Sequence, residues 1–260
     1  MQDLKVTLIQ SALFWEDIEA NLAMFDARID ALQTPGDLII LPEMFSTGFS
    51  MRPQKLAESM NGRAVTWIRQ KATSREVAIT GSIMIREDGS YYNRLIWAEP
   101  GGGLATYDKK HLFRYAGEHK VYSPGNRLLT VSLKGWKIRP FICYDLRFPL
   151  WTRNFDNAYD LAIFVANWPE RRSAHWRCLL VARAIENQAY VIGVNRIGDD
   201  GNGYYHSGDS AVIDPAGKTV FTMSHAPCSK TVPLSASAVT AYRSGFPAWQ
   251  DADRDLANLP

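Results

Sequence analysis

Three residues with the chemistry of an acyl-transfer site each follow a run that is typical of a β-strand. Glu43 follows "LIILP", Lys109 follows "LATYD" and Cys143 follows "IRPFI". In α/β folds, reactive groups gather where strands end, because the scaffold there is rigid while the side chain is accessible. A thiol can attack a carbonyl carbon, a carboxylate can move protons, and a fixed ammonium group can stabilise an oxyanion. The set therefore favours Cys143 as a nucleophile.

Each of these residues has a simpler interpretation when it is taken alone. A single cysteine after a strand is most often a small buried hydrophobe, Lys109 beside Lys110 resembles a solvated pair, and Glu43 resembles an exposed loop carboxylate. A G-x-S-x-G serine elbow is absent, and the histidines do not take H-x-x-x-H spacing (111, 119, 175, 206 and 225). Pairing of Cys143 with one of these histidines, as in papain-like enzymes, stays open. The wide spacing of the cysteines (143, 178 and 228) argues against a zinc site.

Composition excludes several classes of protein. The 260 residues are 46% hydrophobic, which is enough for a large core, and 29 basic against 27 acidic side chains leave no basic stripe for nucleic acid. The N-terminal segment lacks the pattern of a signal peptide, and no run of about eighteen apolar residues predicts a membrane span. An odd number of widely spaced cysteines does not indicate a disulfide framework. We therefore expect a cytoplasmic protein without a nucleic-acid or membrane partner.

The elements that must position these residues follow an α/β pattern. The first part of the chain predicts β-α-β-α-β over residues 4–84, then a hairpin formed by 91–98 and 104–108. Strands at 128–133 and 136–143 follow, then a helix from about Phe148, a strand at 160–167 and a helix at 174–189. Further strands and a late helix (236–246) complete the pattern. Without a repeat or linker, we predict one domain over residues 1–260, with a tail from about 247 that is extended or mobile.

Three segments of the chain resemble the signature segments of the nitrilase (carbon-nitrogen hydrolase) superfamily. They are "LPEMFSTGF", "YDKKHLF" and "FICYDLRFP", in the family's order and spacing, and "SPGN", "NWPERRSAHW" and "ARAIENQAYVIGVNRIG" extend the resemblance over nearly the whole chain. Within the superfamily, the chain resembles the ω-amidase branch most. The resemblance implies an α/β fold that is a four-layer αββα sandwich, a small-molecule amide substrate, no cofactor or metal, and a homodimer.

The resemblance also assigns the site residues. It implies that Glu43 is the general acid/base, Cys143 the nucleophile, Lys109 the fixed lysine, and Glu118 a second glutamate that holds Lys109 and Glu43. The lysine motif departs from the family's R-K-x-H at Asp108, and the following histidine assigns the role to Lys109 rather than Lys110. Lys109 and the backbone N–H of Tyr144 are expected to hold the oxyanion of a thioester-forming step.

The substrate rests on fewer residues. Arg147 lies four positions after Cys143, and its guanidinium group can bind a carboxylate at the far end of a short substrate, as a matching arginine does in ω-amidases. The alternative is that Arg147 pairs with Asp145 or another local carboxylate. Phe45, Phe49 and Trp168 are expected to line the pocket. The predicted reaction is hydrolysis of the terminal amide of a short dicarboxylate, such as 2-oxoglutaramate or 2-oxosuccinamate. A nitrilase, a carbamoyl-amide hydrolase, and an inactive binding or scaffold protein remain as alternatives.

Overall fold

The computed structural model describes residues 1–253, and this part of the chain contains thirteen β-strands and six α-helices. The strands are β1 (Leu4–Gln10), β2 (Leu38–Ile40), β3 (Ala78–Glu87), β4 (Ser90–Ala98), β5 (Leu104–Asp108), β6 (Val131–Leu133), β7 (Trp136–Ile142), β8 (Leu161–Ala166), β9 (Tyr190–Asn195), β10 (Ile197–Asp199), β11 (Tyr205–Ile213), β12 (Thr219–Ser224) and β13 (Cys228–Leu234). The helices are α1 (Ile18–Asp30), α2 (Pro53–Leu56), α3 (Arg63–Arg75), α4 (Pro149–Thr152), α5 (Ser173–Asn187) and α6 (Ala236–Gly245).

The strands form two mixed sheets. The first has the order β13-β1-β2-β3-β4-β5, with β1, β2 and β3 parallel. The second has the order β10-β11-β9-β8-β7-β6, with β12 paired to β11 and with β7, β8 and β9 parallel. Parallel neighbouring strands end at the same edge of a sheet, so the loops after β7 and β8 lie together at one edge of the second sheet. The loop after β2 likewise follows a central strand of the first sheet. Catalytic groups are commonly found at such strand ends.

The two sheets share one hydrophobic core between them. Leu4, Val6 and Leu38 of the first sheet belong to the same buried cluster as Phe141 and Phe164 of the second. Strands that are buried on both faces read as continuous apolar runs, as "LAIFVA" of β8 does. β1 has the same buried setting but carries the polar residues Thr7 and Gln10, which are buried, and Lys5, which is exposed. Face-to-face sheets covered by helices confirm the predicted αββα sandwich.

Helices close the outer face of each sheet. On the first sheet, Phe25 of α1 and Ile68 of α3 pack in a second core cluster with Ile39 and Ile79. On the second sheet, α5 lies so close to β9 that a Cβ added at Gly193 would lie 2.6 Å from the side chains of Trp176 and Leu180. Glycine at 193 is therefore required for this helix to sit on the strand.

The structure differs from the sequence prediction in several places. The helix expected from about Phe148 is only the four-residue α4, because Arg153 leaves the helical conformation. Strand β10 was not predicted, since three residues are too short for a period to show. Cys178 lies in the apolar helical run "CLLVA", which predicts a core position, but it is exposed on α5.

The C-terminal segment is described only in part. Within 247–253, residues Ala248–Asp251 form a 3₁₀-helix, and the backbone N–H of Trp249 donates to Gln188 Oε1 at 3.1 Å. This part of the predicted extended or mobile tail is therefore folded against the domain, while 254–260 lie outside the described residues. In 1–253, no helix has the length and apolarity needed to cross a membrane.

Candidate active site

The predicted site residues come from both sheets. Glu43 follows β2 and Cys143 follows β7, both central parallel strands, while Lys109 follows β5 at the edge of the first sheet. Glu118 begins a 3₁₀-helix, Glu118–Lys120, in the long connection between the two sheets. The structure brings the side chains of Lys109, Glu43 and Glu118 into direct contact.

Lys109 is the centre of this cluster. Its Nζ donates to Glu43 Oε1 at 2.8 Å and to both Glu118 carboxylate oxygens at 3.0 Å. The side chains of all three residues are completely buried. A buried charge without a partner is strongly unfavourable, so each member of this cluster requires the others.

Two asparagines and backbone amides complete the coordination of the glutamates. Asn93 Nδ2 donates to Glu43 Oε1 at 2.8 Å and to Glu118 Oε1 at 3.3 Å, and the backbone N–H of Phe113 donates to Glu118 Oε2. The backbone N–H of Asn167, after β8, donates to Glu43 Oε2 at 2.8 Å. Both carboxylates are thereby held in a single orientation.

The electrostatics of the cluster depend on its burial. Burial by itself lowers the pKa of Lys109, but the negative charges of Glu118 and Glu43 outweigh it, so the net pKa is raised and the amine stays protonated. Burial raises the pKa of Glu118, and Glu43 raises it further, while Lys109 lowers it. The lysine is thus a permanent cation suited to stabilising an oxyanion.

Cys143 occupies a strained position at the end of β7. Its φ angle is 43°, in the left-handed region that non-glycine residues rarely adopt, and it starts a 3₁₀-helix, Cys143–Arg147. The backbone N–H of Tyr144 belongs to the first turn of this helix, where amide groups have no partner within the helix. Strain at such a position is typical of functional sites.

The resting state of Cys143 is the neutral thiol. Burial raises its pKa well above the ordinary value, the charge of Glu43 raises it further, and Lys109 only partly opposes them. A hydrogen bond to Glu43 also contributes to the raised pKa, so the side chain adjacent to the thiol is a carboxylate.

Asp145 fixes the turn that carries Cys143. Its buried carboxylate accepts from the backbone N–H of Ile142 at 3.1 Å, from Tyr107 Oη at 2.7 Å, and from the backbone N–H of His111 at 2.9 Å. His111 Nδ1 lies 2.8 Å from the same carboxylate. The alternative in which Asp145 pairs with Arg147 is therefore wrong.

A cleft of about 250 Å³ opens beside Cys143 and Lys109. Its aromatic lining includes Phe49 and Trp168, as predicted from the sequence. Phe45 does not line the cleft: its ring is fully buried and packs against Phe25 and Trp67 under the helices of the first sheet. The prediction for Phe45 is wrong because the turn after Glu43 directs this side chain into the outer core.

Three arginines line the cleft, whereas only Arg147 was predicted from the sequence to bind substrate. They are Arg147, Arg171 and Arg172. The guanidinium of Arg147 lies 4.8 Å from the centre of the Trp168 ring, and its Nη2 lies 3.0 Å from His175 Nδ1. Burial lowers the pKa of Arg172, and the charges of Arg171 and Arg147 lower it further. Among residues 1–253, none of the three forms an ion pair with a carboxylate, so the cleft is suited to an anion.

The residues that sequence reasoning missed act through contacts between distant segments. Asn93 and Asn167 lie 50 and 124 positions from Glu43, and no local pattern marks them. Arg171 and Arg172 carried a signal, since two adjacent arginines follow the end of a buried strand in "NWPERR". Within the described residues, no group of three or more His, Cys, Asp or Glu side chains is arranged to hold a metal ion.

Comparison with known proteins agrees with this geometry. The carbon-nitrogen hydrolase family model matches residues 5–232. The chain is 48% identical to Omega-amidase YafV of Escherichia coli (strain K12), over 97% of this chain and 98% of that protein, and 29% identical to 2-oxoglutaramate amidase of Bacillus subtilis (strain 168), over 96% and 98%. The structure of XC1258 from Xanthomonas campestris, a CN-hydrolase superfamily protein with an arsenic adduct in its active site, has a TM-score of 0.95 at 45% identity and covers 97% of this chain and 98% of its own.

Proposed function

Because this chain belongs to the carbon-nitrogen hydrolase family, we propose that it is an ω-amidase. The proposed reaction hydrolyses the terminal amide of a short dicarboxylate monoamide, such as 2-oxoglutaramate or 2-oxosuccinamate, to the dicarboxylate and ammonia. The similarity to Omega-amidase YafV and to 2-oxoglutaramate amidase supports this substrate class.

One observation supports the chemistry above all others. A strained cysteine lies beside a completely buried ammonium group that two carboxylates hold in place. This arrangement supplies a nucleophile, a proton carrier and a fixed positive charge at the end of one cleft.

In the first half of the proposed reaction, Cys143 attacks the amide carbon. Glu43 takes the thiol proton as the S–C bond forms, so the raised pKa of Cys143 is overcome only in the reacting complex. The negative charge that develops on the carbonyl oxygen is held by Lys109 and by the backbone N–H of Tyr144. Glu43 then passes the proton to the nitrogen, the C–N bond breaks, and ammonia leaves a thioester on Cys143.

In the second half, a water molecule attacks the thioester. Glu43 takes a proton from the water, the same oxyanion donors hold the second tetrahedral intermediate, and the S–C bond breaks. The proton returns to the sulfur, which regenerates the thiol and releases the carboxylic acid. Glu118 acts by holding Lys109 against Glu43 throughout, and it exchanges no proton with the substrate.

The carboxylate of the substrate is proposed to bind the arginines of the cleft. Arg147 is the first candidate, because its guanidinium stacks on Trp168 and is therefore held in one plane. Arg171 is engaged with aromatic rings at the rim, 4.4 Å from the centre of Tyr204 and 5.5 Å from that of Tyr115. Arg172 lies beside Arg147 and adds positive potential, so a neutral substrate is expected to bind less well.

We also propose that the enzyme is a cytoplasmic homodimer. The absence of any disulfide among the three cysteines is consistent with a reducing compartment. Ile185 of α5 and Phe246, which follows α6, are exposed apolar side chains on the helical covering, a feature common at contacts between subunits. Analytical ultracentrifugation of the purified chain tests the dimer.

The decisive experiment measures ammonia release from a panel of compounds. The panel contains 2-oxoglutaramate, 2-oxosuccinamate, glutamine, asparagine, a nitrile and an N-carbamoyl amino acid. We expect the two keto-acid amides to have the highest kcat/KM. Preference for the nitrile or the carbamoyl compound would assign the chain to another branch of the family, and a complete lack of turnover would favour an inactive binding protein.

A further inference from the structure

Asn167 has a buried acceptor that the catalytic cluster does not use. The residue is 6% exposed, lies directly after β8, and lines the cleft together with Cys143 and Lys109. Its backbone N–H donates to Glu43 Oε2 at 2.8 Å, and its side-chain Nδ2 donates to the backbone carbonyl of Glu43 at 2.6 Å. Its Oδ1 is fully buried and has no hydrogen-bond partner among the described residues.

The orientation of this side chain is determined by its contacts. An amide nitrogen must face the carbonyl oxygen of Glu43, because an amide oxygen there would meet a second acceptor. Oδ1 is therefore the free end of the side chain. A buried acceptor without a donor costs free energy, so an unpaired buried acceptor in a native protein calls for an explanation, such as a role in catalysis.

We propose that Asn167 Oδ1 accepts a hydrogen bond from an N–H of the substrate's scissile carboxamide. This inference rests on the proposed amide hydrolysis and adds a residue that recognises the nitrogen rather than the carbon or the distal carboxylate. Glu43, which must give its proton to the same nitrogen, is held by the backbone of Asn167 itself. One residue thus aligns both the leaving group and the acid that protonates it.

The proposed contact explains how nitrogen leaving groups are selected. A primary carboxamide has two N–H groups, and when Glu43 delivers its proton to the nitrogen lone pair, both N–H bonds point away from Glu43 and need acceptors. An ester oxygen has no N–H and leaves Oδ1 unpaired. A site that is built around a buried acceptor disfavours a ligand that cannot satisfy it.

Asn93 provides a matched comparison within the same cluster. It is also an asparagine with a buried, unpartnered Oδ1, and its Nδ2 donates to the Glu43 carboxylate. It does not line the cleft. Truncation of Asn93 therefore disturbs Glu43 without removing a contact to the substrate.

The experiment compares an amide with an ester in the same variants. Wild type, Asn167→Ala and Asn93→Ala are assayed with 2-oxoglutaramate and with the ω-methyl ester of 2-oxoglutarate, which form the same thioester on Cys143. Because kcat/KM reports the steps up to thioester formation, the ratio of amide to ester kcat/KM isolates the leaving group. We expect this ratio to fall about tenfold in Asn167→Ala, the effect of one buried hydrogen bond, and to stay within twofold of wild type in Asn93→Ala.

Each outcome decides the question. An unchanged ratio in Asn167→Ala, with wild type active on the amide, overturns the inference but leaves the proposed function intact. Inactivity of the wild type on the amide refutes the proposed function instead. Where Asn167→Ala turns over neither compound, the Cys143→Ala enzyme and its double variant with Asn167→Ala are compared by calorimetry. A selective loss of amide affinity supports the contact, and an equal loss for amide and ester refutes it.

Discussion

The ammonium group of Lys109 lies 3.0 Å from both carboxylate oxygens of Glu118, and both side chains are completely buried. The contact joins the end of β5 to a 3₁₀-helix nine residues later, and it neutralises part of a charge that has no access to water. Removal of either partner leaves an uncompensated buried charge, which typically costs about 3–5 kcal/mol.

Substitution of Glu118 tests this relationship. We expect Glu118→Ala to lower the free energy of unfolding in urea by about 3–5 kcal/mol. We expect Glu118→Gln, which keeps the shape but loses the charge, to lower kcat by about tenfold or more, because Lys109 is then less firmly held. The control is Glu186→Ala, which breaks the partly exposed pair with Arg183 at 2.9 Å and is expected to leave kcat unchanged. Wild-type kcat in Glu118→Gln would contradict the assigned role.

The thiol of Cys143 provides a second prediction, for pH dependence. Because its pKa is raised well above the ordinary value of 9.0, the thiolate is the minor form at neutral pH. The rate of inactivation by iodoacetamide is therefore expected to keep rising as the pH increases through 9, where an ordinary cysteine begins to level off. Cys143→Ala should release no ammonia from 2-oxoglutaramate. Cys178→Ala, which alters an exposed thiol, should keep both wild-type turnover and sensitivity to iodoacetamide.

A third prediction concerns Asp145, which holds the turn at Cys143 through four contacts. Asp145→Asn is expected to lower kcat about 100-fold with a smaller effect on KM, since a shift of about 1 Å in a nucleophile has an effect of that size. Asp160→Asn is the control, because Asp160 is also buried and pairs with Arg243 at 2.7 Å, remote from the cleft. Equal effects of the two substitutions on kcat would indicate that Asp145 contributes stability alone.

The sequence predicted most of the fold because its strands are short runs rich in apolar residues and its long helices have a clear period. β1 and β8 follow "LKVTLIQ" and "DLAIFVAN" within a residue or so at each end. The αββα layering came from the resemblance, since periodicity cannot count sheets. The short elements were missed because α4 and β10 are set by turns and tertiary contacts rather than by a repeating pattern.

The site was predictable to the extent that its residues lie at strand ends. Glu43, Lys109 and Cys143 were found in this way, and the structure brings them together with Glu118. The prediction for Phe45 was wrong because adjacent side chains in a tight turn point in different directions. Its closeness to Glu43 in the sequence does not reveal whether its side chain points into the cleft or into the core. Asn93 and Asn167 contact Glu43 across long stretches of chain, so only the folded structure reveals them.

The arginines of the cleft lead to a fourth prediction. Arg147→Lys keeps the charge but loses the planar fork, and we expect KM for 2-oxoglutaramate to rise about tenfold with little change in kcat. A neutral amide of similar length, which has no distal carboxylate, should be hydrolysed equally by both enzymes. Arg52→Lys, at an ion pair with Glu16 outside the cleft, is the matched control and should keep the wild-type KM. An unchanged KM for the keto acid in Arg147→Lys would indicate that Arg172, rather than Arg147, binds the substrate carboxylate.

The last prediction concerns acid stability and His206, which lines the cleft and is 2% exposed. Burial and the charge of Arg196 together lower its pKa from 6.5 to about 4, although Asp200 opposes the shift. Between these values the unfolded chain binds a proton that the folded protein does not, so the free energy of unfolding falls as the pH drops from 6.5 to 4. The contribution is fully present above pH 6.5 and amounts to about 3 kcal/mol. We therefore expect urea unfolding of His206→Gln to depend less on pH in this window than wild type does. His225→Gln, which alters an exposed ring, should retain the wild-type slope, and an identical slope in both variants would refute the role of His206.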